Sequence, residues 1–381
     1  MEDIPNIRHL SAFAAVMKHG SATRAAEVVN LTQPALTQAI AKLEVRLGTP
    51  LFAREPSGMR PTEAALLLGP RAETALTLIG SRRVTATQIR AFVALARHGS
   101  YSAASEHVGL AAASLHRAVG DLAQALGERL VERRGRHLAL TRKGETRARN
   151  FGLALAELRS GFAEVSDWLG NAGGAIVIGA MPLSRARWLP RSILKFQARI
   201  SNVDIKVIEG SYGELAGPLR NGEIDFLLGA LREDAKGDDL EGRQVFIDFP
   251  KIIARSGHPI ASSDSELPHA LSDFPWVLPA PHTPLHHYWQ KLMESFGGRG
   301  KVSLECGSVL TMRELLLETD LLTLLSPAQV RIELQAGLLV AIDPPTPVLR
   351  PIGITQRRDW RPTSSQQSML DILETEALEL S

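Results

Sequence analysis

Gln33, Thr37, Gln38 and Lys42 fall on one side of a segment whose other side, Leu36, Ile40, Leu43 and Leu47, is apolar at helical spacing. Amide and hydroxyl side chains can hydrogen-bond the edges of bases, and a lysine can meet a phosphate. Thr32 suits the cap of this helix, and Pro34 suits its first turn, where a missing N–H costs nothing. Arg54 and Arg60 follow on a stretch that can pair as two short strands about the turn Glu55-Pro56-Ser57-Gly58. A polar helix end beside a basic hairpin fits a nucleic-acid reader; the solvated face of an ordinary surface helix would carry similar residues.

Such residues need a scaffold. Leu10, Phe13, Ala14 and Met17 recur at helical spacing until Gly20, Ser21 can cap a second helix to about Val29, and Asn30-Leu31 makes a tight turn into the third. Two helices joined by a short turn form the helix-turn-helix, whose second helix places its N-terminus in the major groove. The whole unit then recurs. Between Ala12 and Thr62, 18 of 51 positions match the residue 79 further on, including Phe13/Phe92, His19-Gly20-Ser21/His98-Gly99-Ser100, Leu47-Gly48/Leu126-Gly127 and Arg54/Arg133. Two copies indicate a tandem domain duplication rather than a solenoid.

The copies differ where bases would be read. Copy 2 replaces Thr-Gln-Pro by Ala111-Ala112-Ala113, leaving Ser114, His116, Arg117 and Asp121 as its polar set, while Arg129, Arg133, Arg134 and Arg136 enrich its wing. Arginine contacts to phosphate give affinity without sequence choice. One reading makes copy 1 the main source of specificity and copy 2 a backbone binder that reads some bases. Another makes copy 2 a degenerate spacer or dimerisation surface.

The chain has 381 residues and a net charge of only +2. Residues 1–150 hold 21 basic and 12 acidic residues, a net of +9, which leaves −7 for residues 151–381. A basic front and an acidic back fit a polyanion-binding half joined to a half with another task. The length excludes a mini-scaffold and supports several domains. A lone cysteine, Cys306, excludes an internal disulfide framework and a cysteine-based structural zinc site. The polar N-terminus and the lack of a long apolar run predict a cytoplasmic protein with no membrane partner.

Ala25-Ala26, Leu31-Thr32-Gln33-Pro34-Ala35-Leu36-Thr37, Ile40, Leu43-Glu44, Leu47-Gly48, Leu51-Phe52 and Arg54 together resemble the winged helix-turn-helix of the LysR-type transcriptional regulators. Copy 1 departs late, with Pro61 and Ala65 where that pattern usually has Leu and Gly; copy 2 keeps the wing through Leu138, Leu140-Thr141 and Gly144. A family member ordinarily has one such domain, so the duplication changes the expected operator geometry.

After copy 2, Phe151, Leu155, Leu158, Phe162, Val165 and Leu169 step by 4, 3, 4, 3 and 4, the seam of a coiled coil. This helix, about 145–168, resembles the family's linker helix, which pairs two subunits; packing against the chain's own C-terminal domain is the alternative. The stretch 64–84 contains Gly69-Pro70 and Gly80, which predict an interrupted helix, so the dimer seam is expected after copy 2.

The acidic half alternates strands and helices from Ala175, which predicts a parallel α/β sheet. Ile178-Gly179, Leu189-Pro190, Val207-Ile208-Glu209-Gly210, Asn221-Gly222-Glu223-Ile224-Asp225 and Gly257-His258-Pro259 resemble the family's effector domain, which is similar to two-lobed periplasmic binding proteins. The expected organisation is therefore multidomain. Two all-α winged domains (1–66 and 85–144, linked by 67–84) precede a dimerisation helix (145–172) and an effector domain (173–381), whose lobes are 173–248 with 348–381, and 249–347. Loops at the carboxyl ends of strands are the expected ligand positions: Pro182, Leu183 and Ser184; Gly210 and Ser211; His282 and Thr283; Gly307 and Ser308. Each hydroxyl also fits ordinary helix capping. His282, His286 and His287 lack a completing carboxylate or thiol, so no metal is expected, and no motif suggests catalysis or a cofactor.

The resemblance implies a non-enzymatic regulator that binds promoter DNA as a homodimer or homotetramer and senses a small organic effector, such as an aromatic carboxylate, to alter DNA bending or occupancy. RNA polymerase is a further expected partner. Rival readings are a solute-binding module or small-molecule enzyme with a DNA-binding appendage, and an architectural DNA binder with no effector.

Overall fold

The computed structural model describes residues 5–55, 58–135, 137–171, 174–232, 239–262, 267–295, 297–298 and 300–379. The first repeat folds as α1 (Ile7–His19), α2 (Ala22–Val29), α3 (Gln33–Leu47), the hairpin β1 (Phe52–Glu55) and β2 (Gly58–Pro61), and α4 (Glu63–Ile79). The second repeats this order as α5 (Ala86–His98), α6 (Tyr101–Val108), α7 (Ala112–Leu126), β3 (Val131–Arg134), β4 (His137–Leu140) and α8 (Arg142–Trp168). Side-chain caps start most of these helices and left-handed glycines end them: Asn6, Ser21, Thr32, Thr62, Thr85, Ser100 and Thr141 accept backbone N–H groups, whereas Gly20, Gly48, Gly80, Gly99, Gly109 and Gly127 have positive φ. Each domain is thus helical with a two-stranded wing.

The expected break after copy 1 is absent. α4 runs through Gly69-Pro70 without interruption. The Pro70 ring is exposed, and a Cβ on Gly69 would stand 2.9 Å from the Met17 methyl, so this glycine lets α4 lie close to α1. An interior proline costs about 3 kcal/mol. Burial of Leu68, Ala72, Ala75 and Ile79 opposes that cost.

What buries this face is α8. A Cβ on Gly161 would meet Leu68 and Arg71 at about 3 Å, while Gly80 at the other end of α4 lies against Arg147, so the two helices run antiparallel. The seam expected to receive a second subunit therefore has a partner inside the same chain. Phe151, Leu158 and Val165 are fully buried, and Leu155, Phe162 and Leu169 are half-buried, in a core shared by both winged domains. Within this interface Arg71 is 5% exposed and donates to Glu157 on α8 at 3.1 Å, to Glu164 on α8 at 2.6 Å and to the Arg361 carbonyl at 2.9 Å. Burial alone would lower the Arg71 pKa, but the two carboxylates more than offset it and hold it above its usual value.

The C-terminal domain has two lobes. Lobe 1 contains β5 (Ala175–Ala180), α9 (Trp188–Arg199), β6 (Asp204–Glu209), α10 (Tyr212–Arg220), β7 (Phe226–Ala230) and β8 (Leu240–Asp248). Lobe 2 contains β9 (Lys251–Arg255), α11 (Leu267–Asp273), β10 (Pro275–Leu278), α12 (Pro284–Ser295), β11 (Lys301–Glu305), α13 (Val309–Glu318), β12 (Thr323–Leu325), α14 (Arg331–Gln335) and β13 (Leu339–Ile342). The chain returns to lobe 1 as β14 (Arg350–Arg357) and α15 (Ser364–Leu378). The lobe 1 sheet has the order β6-β5-β7-β14-β8, with β5 parallel to β6 and β7 and β14 antiparallel to its neighbours. Each lobe has its own core, and the two crossings, after β8 and after β13, are the hinge strands.

Removing Arg71 leaves Glu164 nearly buried without its cation and Glu157 with only the half-exposed Arg361. Arg71→Ala is expected to destabilise the winged pair by about 3–5 kcal/mol, read as faster amide exchange along both α4 and α8. Unchanged exchange there would show that the cluster does not hold the pair together.

Candidate nucleic-acid interface and effector cleft

α3 owes its position to Thr32, whose side chain accepts the Ala35 N–H, and to Leu36, Ala39, Ile40 and Leu43, which are buried under it. The opposite face carries Gln33, Pro34, Gln38 and Lys42, all exposed. Thr37 is half-buried and its hydroxyl donates to the Gln33 carbonyl at 3.0 Å. His9 on α1 is a neighbour that spacing could not reveal. Burial, then the Lys42 charge, lowers its pKa and disfavours its protonation.

The wing stands where the helix ends. A Cβ on Gly58 would lie 2.6 Å from the Gly20 carbonyl, and Met59 N–H donates to that same carbonyl, so glycine at the hairpin lets the wing close on the end of α1. Arg60 is exposed and 3.4 Å from Glu55. Arg54 lies in β1, with its side chain outside the described residues.

In copy 2, Ala111 gives α7 no side-chain cap. Ser114, His116 and Arg117 are exposed, and His116 stacks on Tyr101 at 4.9 Å. On the wing, Arg133 is exposed and Arg134 is held by Glu132 at 2.8 Å; Arg136 lies outside the described residues. Arg147 braces this domain by gripping Glu128 through two hydrogen bonds of 2.8 and 3.0 Å, which lower the Glu128 pKa.

α8 also presses the winged pair onto lobe 1. A Cβ on Gly152 would sit 2.4 Å from the Asn221 carbonyl. Arg159 donates to the Gly222 carbonyl at 3.1 Å and stands 3.6 Å from Asp225, a buried carboxylate that also accepts the Val177 N–H. Arg149 and Arg220 share Asp239, each at 3.0 Å. Beneath them Arg357 donates to the Leu219 and Ile224 carbonyls; burial lowers its pKa to about 10, opposed by Asp225. No local pattern marks these arginines, because the residues they meet lie from 19 to 138 positions away.

Between the lobes lies a cleft of about 550 Å³. Leu183, Arg187, Trp188 and Phe246 come from lobe 1, Phe249 from the hinge, and Lys251, Ser326 and Arg331 from lobe 2. Trp188 and Phe246 meet edge to face at 5.3 Å. Of the expected effector residues, Leu183 lines this cleft. The hydroxyls serve the fold: Ser184 is buried and donates to the Met181 carbonyl, Ser211 joins Glu214 in a capping box, Thr283 donates to Ala280, and Ser308 caps α13. Pro182 and Gly210 are half-buried, whereas His282 and Gly307 are exposed. Arg232 bridges the lobes beside two of these loops. It donates to the His282 carbonyl at 3.1 Å and lies 5.5 Å from the Tyr212 ring, whose buried hydroxyl has no hydrogen-bond partner among the described residues. His286 is buried against Trp289, with a ring nitrogen 3.0 Å from the Pro279 carbonyl. Among the described residues no helix is long and apolar enough to cross a membrane.

Comparison with known proteins matches this architecture. The family model for the bacterial regulatory helix-turn-helix protein, lysR family, matches twice, at residues 7–66 and 86–145, and that for the LysR substrate binding domain matches residues 170–377. The HTH-type transcriptional regulator GalR of Pseudomonas putida is 32% identical over 373 residues, covering 93% of each chain. PcaQ of Agrobacterium fabrum, also an HTH-type transcriptional regulator, is 24% identical over 301 residues, covering 78% of this chain and 97% of its own. Among solved structures, ArgP from Mycobacterium tuberculosis has a TM-score of 0.58 at 16% identity, covering 76% of this chain and 96% of its own. The full-length regulator LysG of Corynebacterium glutamicum has a TM-score of 0.53 at 18% identity, with coverages of 77% and 97%. These last two likenesses concern the fold alone, and the quarter of this chain that they leave uncovered is close to the size of one winged repeat. With both winged repeats and the two-lobed domain matched, the chain belongs to the LysR family of transcriptional regulators, DNA-binding proteins with an effector-binding domain.

Proposed function

We propose that the protein controls transcription from promoter DNA, in the cytoplasm, in response to a small organic anion held between the lobes. The observation that carries this reading is the cleft. Its volume is that of a small-molecule site, with aromatic lining from Trp188 and Phe246 and cations from Arg187 and Arg331; Lys251 beside them is paired with Asp343, and the lining carboxylate of Asp248 is neutralised by Arg350. An aromatic ring with a carboxylate matches both features. The fold's likeness to LysG, whose structure holds a bound effector Arg, lends general support. Ligand that binds one lobe pose better than another shifts the population toward that pose. Lobe 1 is fastened to α8 through Asp225, Asp239 and the Arg361 side chain on Glu157, and to α4 through the Arg361 carbonyl, so a change of pose reaches the winged pair and alters DNA bending or occupancy. Copy 1 reads bases through Gln33, Thr37 and Gln38, and the wing arginines hold phosphates, in an assembly of two or four chains that can contact RNA polymerase.

DNase footprinting of the DNA upstream of its own gene, with benzoate-type and aliphatic carboxylates added in turn, tests the reading; no sequence-preferred protection would end it. Gln33→Ala is expected to relax base preference at one position by about 1–3 kcal/mol, whereas Arg133→Ala weakens all sequences alike and lowers the salt slope by about one. Equal weakening of every sequence by Gln33→Ala would remove direct reading by copy 1. Arg187→Ala is expected to weaken the carboxylate that raises the melting temperature by about 10- to 100-fold, and an unchanged thermal shift would place the anion elsewhere.

A further inference from the structure

Repeat offset and helix pairing together carry an inference about how the chain meets DNA. Ala75 and Ala154 are 79 residues apart, the repeat offset, and both are fully buried. They fall at the middle of the antiparallel α4–α8 seam, between the contact of Leu68 with Gly161 and that of Gly80 with Arg147. These flanking contacts mirror each other: Leu68 and Arg147 are themselves repeat equivalents, and the equivalent of Gly161 is position 82, two residues from Gly80. An antiparallel pair of equivalent helices crossing at equivalent residues is related by an approximate two-fold axis. The repeat offset makes α7 the equivalent of α3.

We infer that one chain is a complete paired DNA-binding unit, a dimer of winged domains built in cis, and that it reads an operator whose two halves differ in sequence. The inference rests on the DNA-binding reading for its operator and on packing alone for its pairing. In a two-fold protein dimer, half-site symmetry mirrors protein symmetry. Here the equivalent helices are unlike readers. Gln33, Pro34 and Gln38 on α3 face outward, capped by Thr32, whereas α7 offers Ser114, His116 and Arg117 after three alanines with no cap. Asymmetry that a homodimer cannot express is thereby written into one polypeptide. The Arg71 cluster with Glu157 and Glu164 and the shared apolar core fill the seam. Further chains therefore associate through other surfaces.

The full-length chain with Cys306→Ser, Ala75→Cys and Ala154→Cys tests the pairing by oxidation. The expected product keeps the mass of one chain and contains the linked peptides; Leu68→Cys with Gly161→Cys is the second pair, in case the first variant does not fold. A covalent dimer, or no link from either pair, would overturn pairing in cis. Selection of bound duplexes from random DNA by the wild-type chain tests the operator. The expected motif has one well-defined half and one weaker or different half, centred about 10 base pairs apart, and a perfect inverted repeat would overturn the asymmetric reading. An intrachain link without enrichment of any motif would instead count against specific DNA binding.

Discussion

A guanidinium in the middle of an apolar helix seam ties three parts of this protein together. Arg71 leaves α4, meets Glu157 and Glu164 on α8 and ends on the Arg361 carbonyl of the effector domain. Its charge is nearly withdrawn from water, so it persists only because its partners are in place. An apolar residue there could fill space in the seam, but it would make no directed bonds to set the register of α4 on α8. The fork geometry of arginine fixes one register, and with it the disposition of both winged domains and of the lobe behind them.

Much of the architecture was legible in the sequence because it is written in short-range terms. Capping residues and glycines at the repeat ends mark α1 to α3 and α5 to α7, and an offset of 79 residues carries every element of the first domain onto the second. The alternation of strands and helices in the acidic half likewise follows from local patterning. Two features were not legible. Gly69-Pro70 looks like a break, but a proline whose ring faces water and a glycine pressed against Met17 are compatible with a continuous helix when the opposite face is buried. The six apolar positions from Phe151 to Leu169 declare that a partner exists without naming it; their partner is α4 of the same chain, whose Arg71 reaches Glu157 and Glu164 across 86 and 93 residues.

The effector cleft divides in a similar way. Strand ends point to the region between the lobes, where the hydroxyls at Ser184, Ser211, Thr283 and Ser308 are committed to turns and caps. Trp188, Phe246, Arg187 and Arg331 line the space instead. Aromatic and cationic residues separated by up to 144 positions become one surface only once the hinge strands bring the lobes together, and no local pattern encodes that. The divided charge of the sequence has a structural counterpart: the positive half forms the winged pair, and several of its arginines spend their charge inward, on Glu157, Glu223 and Asp239 of the linker helix and lobe 1.

The central claim is that duplication has placed inside one chain the pairing of winged domains that otherwise requires two. Counting chains on DNA tests it most directly. Native mass spectrometry of the full-length protein, saturated with the smallest duplex that retains specific binding, should give one duplex per chain whatever the size of the assembly, each duplex spanning two half-sites about 10 base pairs apart. One duplex for every two chains, each chain supplying one winged domain, would contradict the account.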